Sequence, residues 1–460
     1  MSEYDLIIIG SGPAGYSAAL HAGRLGVKTL LIEKEVLGGE CLNYACIPLK
    51  SLLHFTVLKR RVEELVISGL YKGELSIDAL QLRKIKEEVV TSLRNNLHGL
   101  MKRLGIEIVH GEAVDIERKD VKVRIEDDIK HFQGENIFLA LGSKPITLPN
   151  IEIDNKLIVS SRNLVELKDI PSSLGIIGGG VVGVEMATLY SILSSKVKIF
   201  ELMPNILPGI DKDISKRLMI SLRKKGIEVY VRHEVLEAKK YKDGVLVKVK
   251  NLKNGNIQEY QFSKLLISIG RRPNTDYNFI VKLGVEMDSK GFIRVDKSQK
   301  TNVDGIYAGG DITGPPMVAH KAYWEGLNMV ESVFGKGPLK RPKYFPITIY
   351  SDPEIFSIGI SGEEEDYETI KVPLTVSGKA YAEKMTGLIK IVYSKTEKKV
   401  KGIHIIGEVA SSLSMLPSLL VEKGLEYDDV IETVFPHPTY GEALWEGIAA
   451  IEGLSIHFQK

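Results

Sequence analysis

Cysteine is almost absent from this chain: its 460 residues hold two, Cys41 and Cys46. So few thiols exclude a disulfide-stapled scaffold, and a lone close pair in a reducing compartment points to chemistry or metal binding rather than to structure. Metal fits less well, because two thiolates need further ligands and no His or other Cys lies close in sequence. An excess of charge of one sign is also missing. Lys and Arg total 61 against 59 for Asp and Glu, no basic stripe stands out, and nucleic acid is not expected as a partner. No apolar run approaches the roughly 20 residues of a membrane helix. No charged n-region, apolar stretch and small-residue cleavage site precede the strand-like run Tyr4 to Ile9. The expectation is a cytoplasmic protein with no membrane partner. Apolar content of 44% is ample for several cores, and the length predicts two to four domains.

What is present is a repeat. A strand-like run, Leu6-Ile7-Ile8-Ile9, leads into Gly10-Ser11-Gly12-Pro13-Ala14-Gly15, a helix expected over about Ala14 to Leu25, and a second strand, Thr29-Leu30-Leu31-Ile32, ending at Glu33. In this βαβ setting the glycines Gly10, Gly12 and Gly15 let backbone approach a pyrophosphate at a helix N-terminus, and Glu33 accepts from a ribose. The unit recurs as Leu174-Gly175-Ile176-Ile177, Gly178-Gly179-Gly180-Val181-Val182-Gly183, a helix, and Val197 to Phe200 ending at Glu201. The same 23 residues separate Gly10 from Glu33 and Gly178 from Glu201. Each unit closes with a strand and Gly-x-x-Pro, at Gly142 and Pro145 and again at Gly270 and Pro273. Two dinucleotides follow from two such units. Glu at both ribose positions favours a free 2′-hydroxyl, hence NAD over NADP. The closing glycine lies 132 residues past the first glycine in the first unit and 92 in the second. The cysteine segment and an amphipathic helix over roughly Ile77 to Leu104 fill much of the difference, which inserts the cysteines into the first unit.

Pro48 falls in the first turn of a helix expected over about Ala45 to Arg60, so Cys46 sits near a helix N-terminus that favours thiolate, with Lys50 one turn on. A dithiol must lose protons to be oxidised, and a base near neutral pKa is needed. His437, between Pro436 and Pro438 and followed by Glu442, supplies a His with a carboxylate to orient it.

The segment Gly38-Gly39-Glu40-Cys41-Leu42-Asn43-Tyr44-Ala45-Cys46-Ile47-Pro48-Leu49-Lys50 resembles the redox segment of the flavin-dependent pyridine nucleotide–disulfide oxidoreductases. Its Cys-Leu-Asn and Cys-Ile-Pro wording is most similar to their dihydrolipoamide dehydrogenase branch. The resemblance runs the length of the chain. Ile306 to Asp311 resembles the second FAD motif, Met317-Val318-Ala319-His320 the segment along the flavin, Asp352-Pro353-Glu354 the opening of the interface domain, and Pro436 to Glu442 the base motif. The resemblance implies FAD and NAD as cofactors and a homodimer in which His437 serves the other subunit. It also implies that Glu185 pairs with the flavin-facing Lys50, and that Asp311, Met317, Ala319, His320, Gly111, Gly142, Ser143, Val235 and Gly270 are cofactor-binding positions. No metal is implied. The resemblance further implies that Cys41 exchanges with the substrate and that Cys46 passes electrons towards FAD and on to NAD⁺.

The chain departs from its relatives at Glu40 (usually Thr), Ala45 (Gly), Leu49 (Ser or Thr) and Phe435 (often His). Glu40 is expected to raise the Cys41 thiol pKa and to disfavour an anionic substrate. The lack of an evident Arg cluster disfavours glutathione disulfide, and the lack of a C-terminal cysteine pair argues against mercuric ion. The expected fold is α/β, with two Rossmann-like dinucleotide-binding domains and a C-terminal α+β dimerisation domain. The divisions are 1–148 for FAD and the redox pair, 149–269 for NAD, 270–342 completing the FAD site, and 343–460 for the interface. The expected reaction is oxidation of a protein-bound or small dihydrolipoamide by NAD⁺, with a 2-oxoacid dehydrogenase complex as candidate assembly. The alternatives are an NAD(P)H-dependent reductase of another disulfide, or an NADH oxidase or diaphorase acting on quinone or oxygen.

Overall fold

Apolar strands flanked by glycine turns build two parallel sheets of the same plan. The computed structural model describes residues 3–362 and 366–459. In the first sheet, Glu107–His110, Thr29–Glu33, Tyr4–Ile9, the end of Asp128–Leu139 and Ile306–Ala308 lie side by side in parallel. Leu6 to Ile9 are buried on both faces, as continuous apolar runs in parallel sheets require. In the second, the order is Glu228–Val231, Lys196–Glu201, Ser173–Ile177, Lys264–Ile267 and Ile158–Val159. Each sheet carries an antiparallel three-strand meander: Glu112–Glu117, Asp120–Ile125 and Asp128–Leu139 on the first, His233–Tyr241, Gly244–Asn251 and Ile257–Phe262 on the second.

The fifth strands arrive by different routes. The second unit's, Ile158–Val159, precedes its glycine motif, whereas the first unit's, Ile306–Ala308, returns only after the second unit is complete. That return brings Asp311 and the helix Ala319–Phe334 back against the first unit.

A third, antiparallel sheet runs in the order Ile347–Ile349, Glu354–Gly359, Lys399–Gly407, Gly387–Ser394, Glu368–Pro373. Helices Met415–Lys423, Tyr427–Ile431 and Glu442–Ala449 contribute to its core.

The redox helix spans Cys46–Ile67, seven residues past the expected end at Arg60. Nothing breaks it before Gly69, where φ turns positive. The long amphipathic helix is Ala79–Arg103, capped by Asp78, whose carboxylate accepts from Leu80 N and Gln81 N. The stretch Gly39–Ile67 has the length and mean hydropathy, 1.2, of a membrane span by composition. It is longer than any apolar run expected from the sequence. Within the fold Leu49, Leu52 and Leu53 of this stretch lie in a core shared with the second unit, while Phe55 and Leu58 stay exposed.

Candidate active site

The two glycine loops share two features of local geometry. Gly10 and Gly178 have φ of +99° and +100°, which side chains rarely adopt. A Cβ on Gly15 would fall 1.8 Å from the Gly10 carbonyl oxygen, and one on Gly183 would fall 2.1 Å from that of Gly178. The helices Pro13–Arg24 and Val181–Ile192 can therefore press directly on the turns that precede them. Glu33 accepts from Ser11 N (2.9 Å), Ser11 Oγ (2.5 Å) and Glu35 N (2.7 Å). Glu201 accepts from Gly179 N (2.6 Å) and Met203 N (2.7 Å). Both carboxylates brace their loops.

A cleft of about 710 Å³ opens over the first loop. Gly10, Gly12, Glu33, Gly111, Gly142, Ser143, Asp311, Met317, Ala319 and His320 line it together with Cys41, Cys46, Lys50 and Glu185. Gly15 lies beneath, packed against Gly10. Ser143 Oγ donates to Asp311 Oδ2 (2.6 Å), and Arg271 donates to Ser143 Oγ and to its carbonyl, each at 2.7 Å. The second unit's Gly178, Gly180, Gly183, Glu201, Val235 and Gly270 do not line this cleft; only Val181, Val182, Glu185 and Met186 of its glycine loop and helix reach it. The room and the cradle fit a dinucleotide. Glu40 Oε1, at the same cleft, is buried and accepts no hydrogen bond.

Both cysteines are partly buried thiols. Cys41 lies in the short helix Gly39–Asn43, and Cys46 opens the long helix after a break at Tyr44 and Ala45. The two thiols titrate as a pair and their pKa values move apart. Cys41 is pushed up, first by its hydrogen bond to Cys46 and then by burial. Cys46 is pulled down, first by that hydrogen bond; burial opposes it, and Lys50 adds to the lowering. Cys46 is therefore the more acidic of the two thiols and Cys41 the less acidic. Lys50 Nζ donates to Glu185 Oε2 (2.8 Å) and Oε1 (3.0 Å) and stands 4.8 Å from the Tyr350 ring centre. Burial opposes the Lys50 charge, but Glu185 overrides it and holds the pKa above its ordinary value. Tyr350 N also donates to Glu185 Oε1, at 2.9 Å.

Glu40 behaves differently from the expectation. The Cys41 pKa is raised, but by Cys46 and burial rather than by Glu40. Arg162 Nε and Nη2 both donate to Glu40 Oε2, which neutralises its charge and removes the reason to expect rejection of anions. An arginine pair absent from the local sequence, Arg162 and Arg271, is assembled here by the fold, with Arg271 Nη1 3.7 Å from Glu40 Oε1. Leu49 is buried in core as well as lining the cleft. Ser11 and Arg271 are variable positions inside the glycine-rich and Gly-x-x-Pro motifs, and Arg162 and Tyr350 lie outside every motif.

His437 Nδ1 lies 2.6 Å from Glu442 Oε1, while Glu442 Oε2 accepts from Thr439 N at 2.6 Å. Burial pushes the Glu442 carboxyl up, but Thr439 N and His437 outweigh it and leave the pKa below its ordinary value. His437 is 70% exposed and is not among the residues of the cysteine cleft. One chain does not bring the base to the dithiol.

The family model described as pyridine nucleotide-disulphide oxidoreductase matches residues 4–326, and the dimerisation domain of the same family matches 345–448. A dihydrolipoyl dehydrogenase of Buchnera aphidicola subsp. Schizaphis graminum is 37% identical over 449 residues, 96% of this chain and 94% of its own. One from Geobacillus stearothermophilus is 34% identical, covering 99% and 97%. Among solved structures, RclA, an HOCl-induced flavoprotein disulfide reductase from Escherichia coli, aligns with a TM-score of 0.86 at 25% identity, over 97% of this chain and all of its own. LpdA from Mycobacterium tuberculosis aligns at 0.87 and 24%, a likeness of fold, over 97% and 99%.

Proposed function

Because the chain belongs to the pyridine nucleotide–disulphide oxidoreductases, whose members use FAD and NAD(H), we propose that it oxidises a protein-bound dihydrolipoyl group with NAD⁺. The observation that carries this reading is the dithiol itself. Cys41 and Cys46 share one cleft with the first dinucleotide cradle and with the Lys50–Glu185 pair. Gly10, Gly12, Gly15, Glu33, Gly111, Gly142, Ser143, Asp311, Met317, Ala319 and His320 would hold FAD. Gly178, Gly180, Gly183, Glu201, Val235 and Gly270 would hold NAD. FAD supplies a two-electron relay between the dithiol and the nicotinamide. The division at residues 148, 269 and 342 is part of the same proposal, supported by the three sheets and by the late return of Ile306–Ala308 to the first.

The chain's own groups divide the work. Cys41 is the exchange thiol, and its raised pKa means that exchange needs a base. Nδ1–H of His437 donates to Glu442, which leaves Nε2 to take the proton. Cys46 is the more acidic thiol and lies beside Lys50, whose cation would face the flavin and is fixed by Glu185 and the Tyr350 ring. A buried ammonium without Glu185 would lose its charge or its place.

His437 must come from a second copy, since its own chain leaves it exposed. Apolar side chains left in solvent fit that assembly. Phe55 and Leu58 on the redox helix, Ile85, Val89 and Leu93 at helical spacing on the next helix, and Val434 beside the base motif are all exposed in the single chain. The homodimer would dock on the lipoyl domain of a 2-oxoacid dehydrogenase complex. A cytoplasmic setting is part of the same reading.

A second reading, NAD(P)H-dependent reduction of another disulfide, is favoured by the likeness to RclA, named a disulfide reductase, and by Glu40 in place of the usual Thr. Steady-state rates with dihydrolipoamide, glutathione disulfide and a quinone, each with NAD(H) and NADP(H), separate the readings. Preference for dihydrolipoamide with NAD⁺ supports the first. Faster reduction of another disulfide by NAD(P)H overturns it.

A further inference from the structure

Glu40 stands where a carboxylate is electrostatically out of place. Its position is fixed by the first glycine loop: a Cβ on Gly39 would fall 2.5 Å from Gly12 Cα, and Gly38 N donates to Ser11 Oγ at 3.1 Å. Gly12, Pro13 and Ala14, at the start of the twelve-residue helix Pro13–Arg24, line the cleft beside it. That loop and helix start form the seat for a diphosphate. A bare carboxylate at its edge would repel the dianion through a site with little water between them.

The compensation comes from the other nucleotide unit. Arg162 lies on the short helix Ser161–Val165, directly after the strand Ile158–Val159 of the second sheet. Its Nε (2.8 Å) and Nη2 donate to Glu40 Oε2, and its Nη1 donates to Glu35 Oε2 at 3.1 Å. Its guanidinium carbon lies 4.2 Å from the Tyr44 ring centre. Two carboxylates and a ring thus fix a planar cation at the rim of the cleft that all four residues line. These bonds occupy three of the five guanidinium N–H groups, and two remain for a ligand. Arg271 stands 3.7 Å from the other Glu40 oxygen, so two guanidinium groups face the two carboxylates and the cluster as a whole carries no excess negative charge.

The geometry points to Arg162 as a ligand of the FAD diphosphate, a cation supplied by the second nucleotide unit to a cofactor seated on the first. Glu40, Glu35 and Tyr44 are the positioning residues that aim it. This rests on the reading that the first cleft takes FAD.

The test is FAD affinity of the deflavo protein, followed by flavin fluorescence at two ionic strengths, for wild type, Arg162→Gln, Arg162→Lys, Glu40→Gln and the Glu40→Gln/Arg162→Gln double variant. Arg162→Gln should weaken FAD on the order of tenfold to a hundredfold, the range of a hydrogen bond to a charged group. It should also lower the salt dependence of binding, and Arg162→Lys should recover part of the loss. The double variant should remain weaker than Glu40→Gln by a similar factor, because the ligand is missing even when the carboxylate is gone. A double variant binding as tightly as Glu40→Gln would show that Arg162 only neutralises Glu40, and would overturn the inference. So would an Arg162→Gln protein with wild-type affinity. Wild-type protein that takes up no FAD would instead overturn the reading on which the inference rests.

Discussion

The two nucleotide units share a floor and differ in what is laid over it. Their glycine turns agree to a degree in φ, their helices press on those turns through Gly15 and Gly183, and each has an acidic residue bracing its loop. The difference begins at one atom. Ser11 in the first loop has a hydroxyl that accepts from Gly38 N, and so ties the redox segment to the diphosphate seat. Gly179, at the matching position, has no side chain to make such a tie, and its carbonyl accepts from Leu207 N instead. A common binding device is thus made reactive in one copy by a segment fastened across it. Chemistry is carried by the covering segment, not by the nucleotide fold.

Breaking the covering segment should have the largest effect. Cys46→Ser should leave FAD bound and both sheets intact while removing dihydrolipoamide turnover; full activity would mean the dithiol is not the reacting centre.

Adding one carbon beneath each loop sharpens the comparison next. Gly15→Ala forces a Cβ into the Gly10 carbonyl and should yield protein that fails to retain FAD. Gly183→Ala makes the same clash with Gly178, and should keep FAD, and reduction by dihydrolipoamide, while losing reduction by NADH. Flavin content and the two half-reactions, measured by stopped flow, read this directly. Loss of FAD from both variants would dissolve the assignment of cofactors to units.

The acidic braces come third. Glu33→Ala leaves three donors without a partner, and Glu201→Ala leaves two. At about 1–3 kcal/mol per orphaned buried donor, Glu33→Ala should lower the thermal midpoint of the deflavo protein further than Glu201→Ala does.

The smallest effect concerns the thiolate. Lys50→Met removes a cation that lowers the Cys46 pKa. Losing it disfavours the ionised form, so the pH midpoint for alkylation of Cys46 in the reduced protein should move up. An unmoved midpoint would mean that the Cys41 hydrogen bond alone sets the thiolate.

Much of this was readable along the chain, because the features involved are local. The glycine turns, the 23-residue spacing to the acidic brace, the close cysteine pair and the His437–Glu442 dyad each lie within one stretch of backbone. What could not be read depends on where distant segments meet. Arg162 finds Glu40 across more than a hundred residues, and Tyr350 closes on Lys50 across three hundred. The same distance explains the mistaken expectation for Glu40. A carboxylate beside a cysteine in sequence suggests repulsion, but the guanidinium that cancels it arrives from another sheet. The exposure of His437 needed the fold as well, since the sequence places the base motif but not its separation from the cysteines of its own chain.

That separation gives the most direct measurement. If dithiol and base meet only across two copies, Cys46→Ser and His437→Gln proteins are each inactive as homodimers, yet their mixed dimer contains one site with both groups intact. Co-refolding equal amounts should restore about a quarter of wild-type dihydrolipoamide turnover, as random two-fold pairing gives half mixed dimers with one working site each. A mixture as inactive as its parents, with mixed dimers shown to be present, would contradict the account.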